Sequence, residues 1–204
     1  MYRWDFCRSV MSAQLLVALG EERGVSRQQL LHNSGISEEQ LYNPETVVEA
    51  QSELTIVRNL IRALPNNPEL ALHAGQRYQL STYGIWGFAI ASSPNARQAI
   101  ELARNFQELT FVFAPFNISM DREKTTIAFD DEGIPQDVQR FCLERDMAAA
   151  AVILGELLGQ PDAVEQIRFR HGPPPYLEEY RRAFPGKLHF NAGSNLFEIS
   201  NTVL

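Results

Sequence analysis

Residues 111–130 read FVFAPFNISMDREKTTIAFD. Two runs rich in aromatic and β-branched residues flank the charged triplet Arg122-Glu123-Lys124, and that pattern predicts a β-hairpin over roughly 110–129. What lies on either side of it decides the fold. Upstream, the spacing is helical. Val10, Leu15, Leu16 and Leu19 share a face of a helix over 10–22, ended by GEERGV. Ser26 with Gln29, and Ser37 with Gln40, have the spacing of capping boxes and open two short helices. A long helix is predicted over 46–63, from Val47, Leu54, Val57, Leu60 and Ile61, and PNNP (65–68) breaks it. A short helix over 69–77, a buried helix in YGIWGFAIASSP (83–94) and a helix from Pro94 to about 107 complete this half. Downstream come a helix over 137–158, a strand in EQIRFRH (165–171), a Pro-initiated helix in PPPYLEEYRRAF (173–184), and closing strands in KLHFN and SNLFEIS. Helices followed by a mostly antiparallel sheet, with one long central helix between its strands, define an α+β class.

Composition narrows the function. The chain has 204 residues, of which 45% are hydrophobic and 21% charged, enough for a sizeable core in one domain. With 25 acidic against 18 basic side chains the net charge is −7, which argues against a free-standing nucleic-acid binder. QQLLHNSGISEEQL (28–41) has the rhythm of a helix-turn-helix, but its second helix would carry Glu38 and Glu39 toward phosphates and no Lys or Arg. Two short core-packed helices are expected there instead. No signal segment is present, and MAAAAVILGELLG (147–159) is too short to span a bilayer, so a soluble cytoplasmic chain with no membrane partner is expected. Cys7 and Cys142 have no metal-ligand spacing and read as reduced thiols.

Catalytic motifs are missing. The sequence holds no phosphate-binding glycine loop, no nucleophile elbow and no paired metal-ligating histidines among His32, His73, His171 and His189. No enzyme and no cofactor are expected; a heme would need an axial histidine. The aromatic residues Tyr83, Trp86, Phe88, Phe106, Phe111, Phe113 and Phe116 crowd into a short span. Most belong to a core between helices and sheet, and some would line an apolar pocket of the small-molecule kind. On the helix over 137–158 the inward stripe is Val138, Phe141, Cys142, Arg145, Ala149, Val152 and Ile153. Arg145 on that stripe needs a partner: Glu144, Asp146 or another carboxylate, or else the carboxylate or phosphate of a ligand. Candidate pocket residues are therefore Tyr83, Trp86, Phe111, Phe113, Phe141 and Arg145.

LLHNSGISEEQLYNPETVV (30–48), PNNPELALHAGQRYQLSTYGIWGFAIASSPNARQAIELARNF (65–106) and RFRHGPPPYLEEYRRAFPGKLHFNAGSNLFEISNTVL (168–204) together resemble the N-terminal effector-binding domain of AraC-family bacterial transcription regulators, in the branch of the ornithine-utilisation regulators. Tyr83-Gly84-x-x-Gly87 followed by Ser93-Pro94 is the most specific part, with Asn95 where a Thr is common. The resemblance implies an α+β module, not a cupin barrel. It implies a ligand-sensing domain, homodimeric, that meets DNA only through a C-terminal helix-turn-helix domain following residue 204. A small-molecule effector is the implied partner, an amphipathic carboxylate received by Arg145 or an amino acid whose ammonium meets Glu144 or Asp146. A ligand-free interaction or dimerisation domain of such a regulator is the alternative.

Overall fold

The computed structural model describes residues 4, 6–160 and 164–204. Strand β1 (Cys7–Ser9) leads into α1 (Met11–Glu22), whose Ala13, Leu16, Val17 and Leu19 are buried. Helices α2 (Arg27–Leu31) and α3 (Glu38–Tyr42) are short and each opens on a complete capping box, at Ser26–Gln29 and Ser37–Gln40. They bury Leu30 and Leu41 in the core, and Arg27 is spent on Glu21, Glu38 and the ring of Tyr42. That is the packing role expected of residues 26–42.

The expected helix over 46–63 starts later. Val47–Glu49 forms β2, antiparallel to β1 with Cys7 opposite Glu49, and α4 runs Ala50–Ala63. A β-branched pair, Val47-Val48, takes the extended form because a partner strand forty residues upstream supplies its ladder bonds. Next come α5 (Leu70–Gly75), a 3-10 turn (Leu80–Tyr83), α6 (Gly84–Ala91) and α7 (Ala96–Asn105). The Asn95 side chain caps α7 by accepting from the Gln98 N–H at 3.0 Å. Helix α6 is not buried all round as expected: Ile85 is 80% and Phe88 73% exposed.

Strands β3 (Phe116–Met120) and β4 (Lys124–Phe129) make the hairpin. Its turn is tied by Asp121, whose Oδ1 accepts from the Glu123 and Lys124 N–H groups. Residues 111–115 are not strand, contrary to expectation, for a reason given below. Helix α8 (Gln139–Leu158) ends on Gly159 in the left-handed conformation. Strand β5 (Val164–Arg168), helix α9 (Leu177–Ala183), β6 (Lys187–His189) and β7 (Asn195–Ser200) complete the chain.

The larger sheet has the order β3-β4-β7-β5-β6, antiparallel except for the β5/β6 pair, and it is open rather than closed into a barrel. Its register sets Ile127 and Ile167 on either side of Phe197, and all three are buried. Helix α8 is the spine between this sheet and the helical half, and every residue from Phe141 to Ala149 is buried. Helix α5 crosses it closely because Gly75 has no side chain: a Cβ there would lie 2.4 Å from the Arg145 carbonyl oxygen.

Candidate functional site

The site is built on residues 110–115. Pro115 cannot donate to a ladder. The backbone before it is claimed by charged side chains instead of a strand. The Phe111 carbonyl accepts from Arg8 Nη1 at 2.8 Å and Arg145 Nη2 at 2.6 Å, and Arg8 Nη2 reaches the Val112 carbonyl at 3.4 Å. Asp146 Oδ2 accepts from the Phe113 and Ala114 N–H groups at 2.6 and 2.8 Å. Asp146 Oδ1 holds Arg145 through both Nε and Nη2. Behind them Glu53 accepts from Arg145 Nη1 at 2.5 Å, from Ser12 Oγ at 2.7 Å and from Arg8 Nη1 at 3.4 Å. The Tyr78 hydroxyl closes the set on Ser12.

Two cations thus face two anions, and all four side chains are buried. Burial disfavours charge. It pushes the Tyr78 phenol up to about 12 and the Asp146 carboxyl upward, and it lowers Arg8. Arg145 is instead held well above its ordinary value: burial works against its charge, and Asp146, Tyr78 and Glu53 outweigh it. The guanidiniums of Arg8 and Arg145 lie 4.4 and 5.0 Å from the centroid of the Phe113 ring.

On the other side of this segment lies an apolar cavity of about 70 Å³. Tyr83, Trp86 and Ile90 wall it from the α6 side, and Ala99, Ile100 and Ala103 from α7. The hairpin contributes Phe116, Ile118, Ile127 and Phe129; α8 contributes Ala150, Ile153, Leu154 and Leu157. Its polar residues are few: Asp146, already filled, Thr110, which donates to the Gln107 carbonyl, Tyr83 and Trp86. The indole Nε1–H of Trp86 is buried with no hydrogen-bond partner among the described residues. Helix α6 packs mainly on the 3-10 turn before it and on α7. The fit against that turn is tight, since a Cβ on Gly87 would lie 1.7 Å from the Leu80 carbonyl oxygen. Gly84 serves the turn itself, with φ at +53°.

Of the six candidate residues, Tyr83 and Trp86 meet at the cavity, ring centroids 5.1 Å apart. Phe111 stands behind Tyr83, also at 5.1 Å, and links it to Tyr78. The structure does not bring the other three there. Phe113 turns to the opposite side, edge-on to Trp4. Phe141 faces a separate surface groove with Tyr176. Arg145 has each of its nitrogens engaged in the ion cluster, by Glu53, Asp146 and the Phe111 carbonyl. Glu144, proposed as an ammonium partner, is taken by Arg140, Tyr176 and Tyr180. Cys142 is buried, its thiol pushed up by burial, and His171 faces Tyr180. The missed wall residues include those of α7 and α8 and also Val112 and the alternate hairpin positions Phe116, Ile118, Ile127 and Phe129. The period-2 pattern of the hairpin carried that signal.

Residues 24–204 match the family described as the arabinose-binding domain of AraC transcription regulator, N-term. The chain belongs to that family. The AraC-type domain is 30% identical over 139 residues to an uncharacterized HTH-type transcriptional regulator of Mycobacterium tuberculosis, covering 68% of this chain and 40% of that protein. It is 27% identical over 175 residues to the ornithine utilization regulator of Pseudomonas aeruginosa, covering 86% and 51%. The crystal structure of the transcriptional regulator CdpR from Pseudomonas aeruginosa shares the fold, with a TM-score of 0.65 at 17% identity over the whole of this chain and 57% of that one. The AraC-type domain therefore spans about half the length of these relatives or less. Among the described residues no helix is long and apolar enough to cross a membrane.

Proposed function

We propose that this AraC-type domain senses a small cytoplasmic molecule in the cavity between α6–α7, α8 and the β3–β4 hairpin, and that the state of α6–α7 is what a DNA-binding portion of the longer regulator reads. The observation that carries this is the unequal mounting of the cavity. One wall is strapped by four buried charges, and the other is two short helices, α6 packed mainly on the 3-10 turn before it and on α7. At about 70 Å³ the cavity is smaller than the ~150 Å³ that accepts a benzene ring. A metabolite enters only as α6–α7 move outward, which gives the ligand two states to discriminate. The test is hydrogen exchange with and without a neutral apolar probe such as indole. Saturable protection confined to 84–105, lost on Ala150→Phe, supports the reading. Protection nowhere, or equally everywhere, sinks it.

Dimerisation through α6 is a second reading. Ile85 and Phe88 lie one turn apart and point to solvent. Sedimentation equilibrium of the wild type and of Phe88→Glu decides it: a dimer that the substitution dissociates supports it, and a monomer in both removes it.

A further inference from the structure

We propose that the effector is a neutral, compact, mainly apolar molecule that presents one hydrogen-bond acceptor to the indole N–H of Trp86. This rests on the cavity being the effector site.

Three observations lead there. The wall is hydrocarbon on four sides, so the body of the ligand is apolar. Trp86 lines the cavity and is 5% exposed, and its buried Nε1–H is unmatched by any described residue. A buried donor is expensive to leave unmet, and an oxygen or aromatic nitrogen on the ligand would meet it. The Tyr83 ring packs on the same indole, ring centroids 5.1 Å apart.

The third observation excludes charge. Among the described residues no Arg, Lys or His lines the cavity. A ligand carboxylate would be desolvated against hydrocarbon with no cation to receive it. Asp146 is the one carboxylate on the wall among the described residues, and both its oxygens are occupied, Oδ1 by Arg145 and Oδ2 by two backbone N–H groups. An ammonium would meet a charge already neutralised. The amphipathic carboxylate and the amino acid suggested by the sequence are both mismatched here. So is ornithine, the compound in the name of the Pseudomonas relative.

The experiment is a titration followed on the two indole ¹⁵N–¹H signals, from Trp4 and Trp86, with Trp86→Phe assigning them. Four probes of one shape are used: ethylbenzene, acetophenone, benzoate and benzylammonium. Acetophenone is expected to bind about 3- to 10-fold more tightly than ethylbenzene, the range of one net hydrogen bond, and to move the Trp86 proton downfield. Both ions are expected roughly 10-fold or more below acetophenone. In Trp86→Phe the advantage of acetophenone over ethylbenzene disappears while both still bind. If that variant does not fold, the ranking in the wild type decides alone. Equal affinity for ethylbenzene and acetophenone, with a saturable Trp86 shift, keeps the cavity as the site and overturns the acceptor. A charged probe binding tightest overturns neutrality. No saturable shift with any probe removes the effector-site reading, and this proposal with it.

Discussion

The segment 111–114 and helix α6 both border the cavity, yet unlike forces hold them. Segment 111–114 has no secondary structure and is immobilised all the same: its carbonyls and amides end on Arg8, Arg145 and Asp146. Helix α6 has its own backbone ladder, but its hold on the rest is van der Waals contact through Gly87, Tyr83 and Trp86. Regular structure and rigidity have therefore come apart. The irregular segment is the anchored one, because charge-assisted bonds in a dry interior are strong and cooperative. The regular helix is the one with room to move.

That difference can be broken at its strongest point first. Glu53→Ala leaves Arg8 and Arg145 with one carboxylate between them, and a loss of about 3–5 kcal/mol is expected from urea unfolding. A loss under about 1 kcal/mol would mean the cluster does not anchor the wall. Gly87→Ala should cost less, about 1–3 kcal/mol, because the added methyl forces α6 off Leu80. Its damage should stay local, with amide exchange accelerated over 80–105 and unchanged in β4 and β7. Acceleration across the sheet would show that α6 is no independent flap.

A smaller effect comes from the far end of α8, where His171 contacts Tyr180 and, through it, Glu144. Burial holds the folded-state pKa of His171 below its ordinary 6.5. The unfolded chain then takes up the proton first as pH falls, so stability is full above 6.5 and declines below it, through the folded value. Urea midpoints between pH 7.5 and 5.5 should fall shallowly, and His171→Gln should flatten the trend. The smallest effect is expected on the solvent side of α6: Phe88→Ser should change stability by no more than about 0.5 kcal/mol. A larger loss would show that the exposed face of α6 is covered in solution.

Much of the fold was legible before any coordinates. The capping boxes at Ser26 and Ser37, the hairpin around Arg122-Glu123-Lys124 and the long helix ending near residue 158 all follow from short-range chemistry. The inward placement of Arg145 follows from helical period, and a charge so placed calls for a carboxylate partner. What stayed hidden depends on distant residues. Phe111-Val112-Phe113 looks like strand, but Arg8 and Asp146 occupy the bonds a strand would need. Val47–Glu49 looks like helix until Cys7–Ser9 lies beside it. In the site, the aromatic span located the cavity but not its lining. Val112 faces it while Phe111 and Phe113 stand behind, a parity of one residue that composition does not encode.

The ion cluster also bears on how the chain folds. Arg8 bonds to the Phe111 carbonyl across 103 residues, and Glu53 meets Arg145 across 92. Contacts of such separation are reached late, since loop closure is unfavourable until many of them cooperate. During synthesis the amino-terminal helices emerge first, with Glu53 supported only by Arg8 and Ser12 until α8 has left the ribosome. The locking of the anchored wall is therefore tied to the arrival of residues 139–158, and a refolding reaction of this domain should have its slow step there.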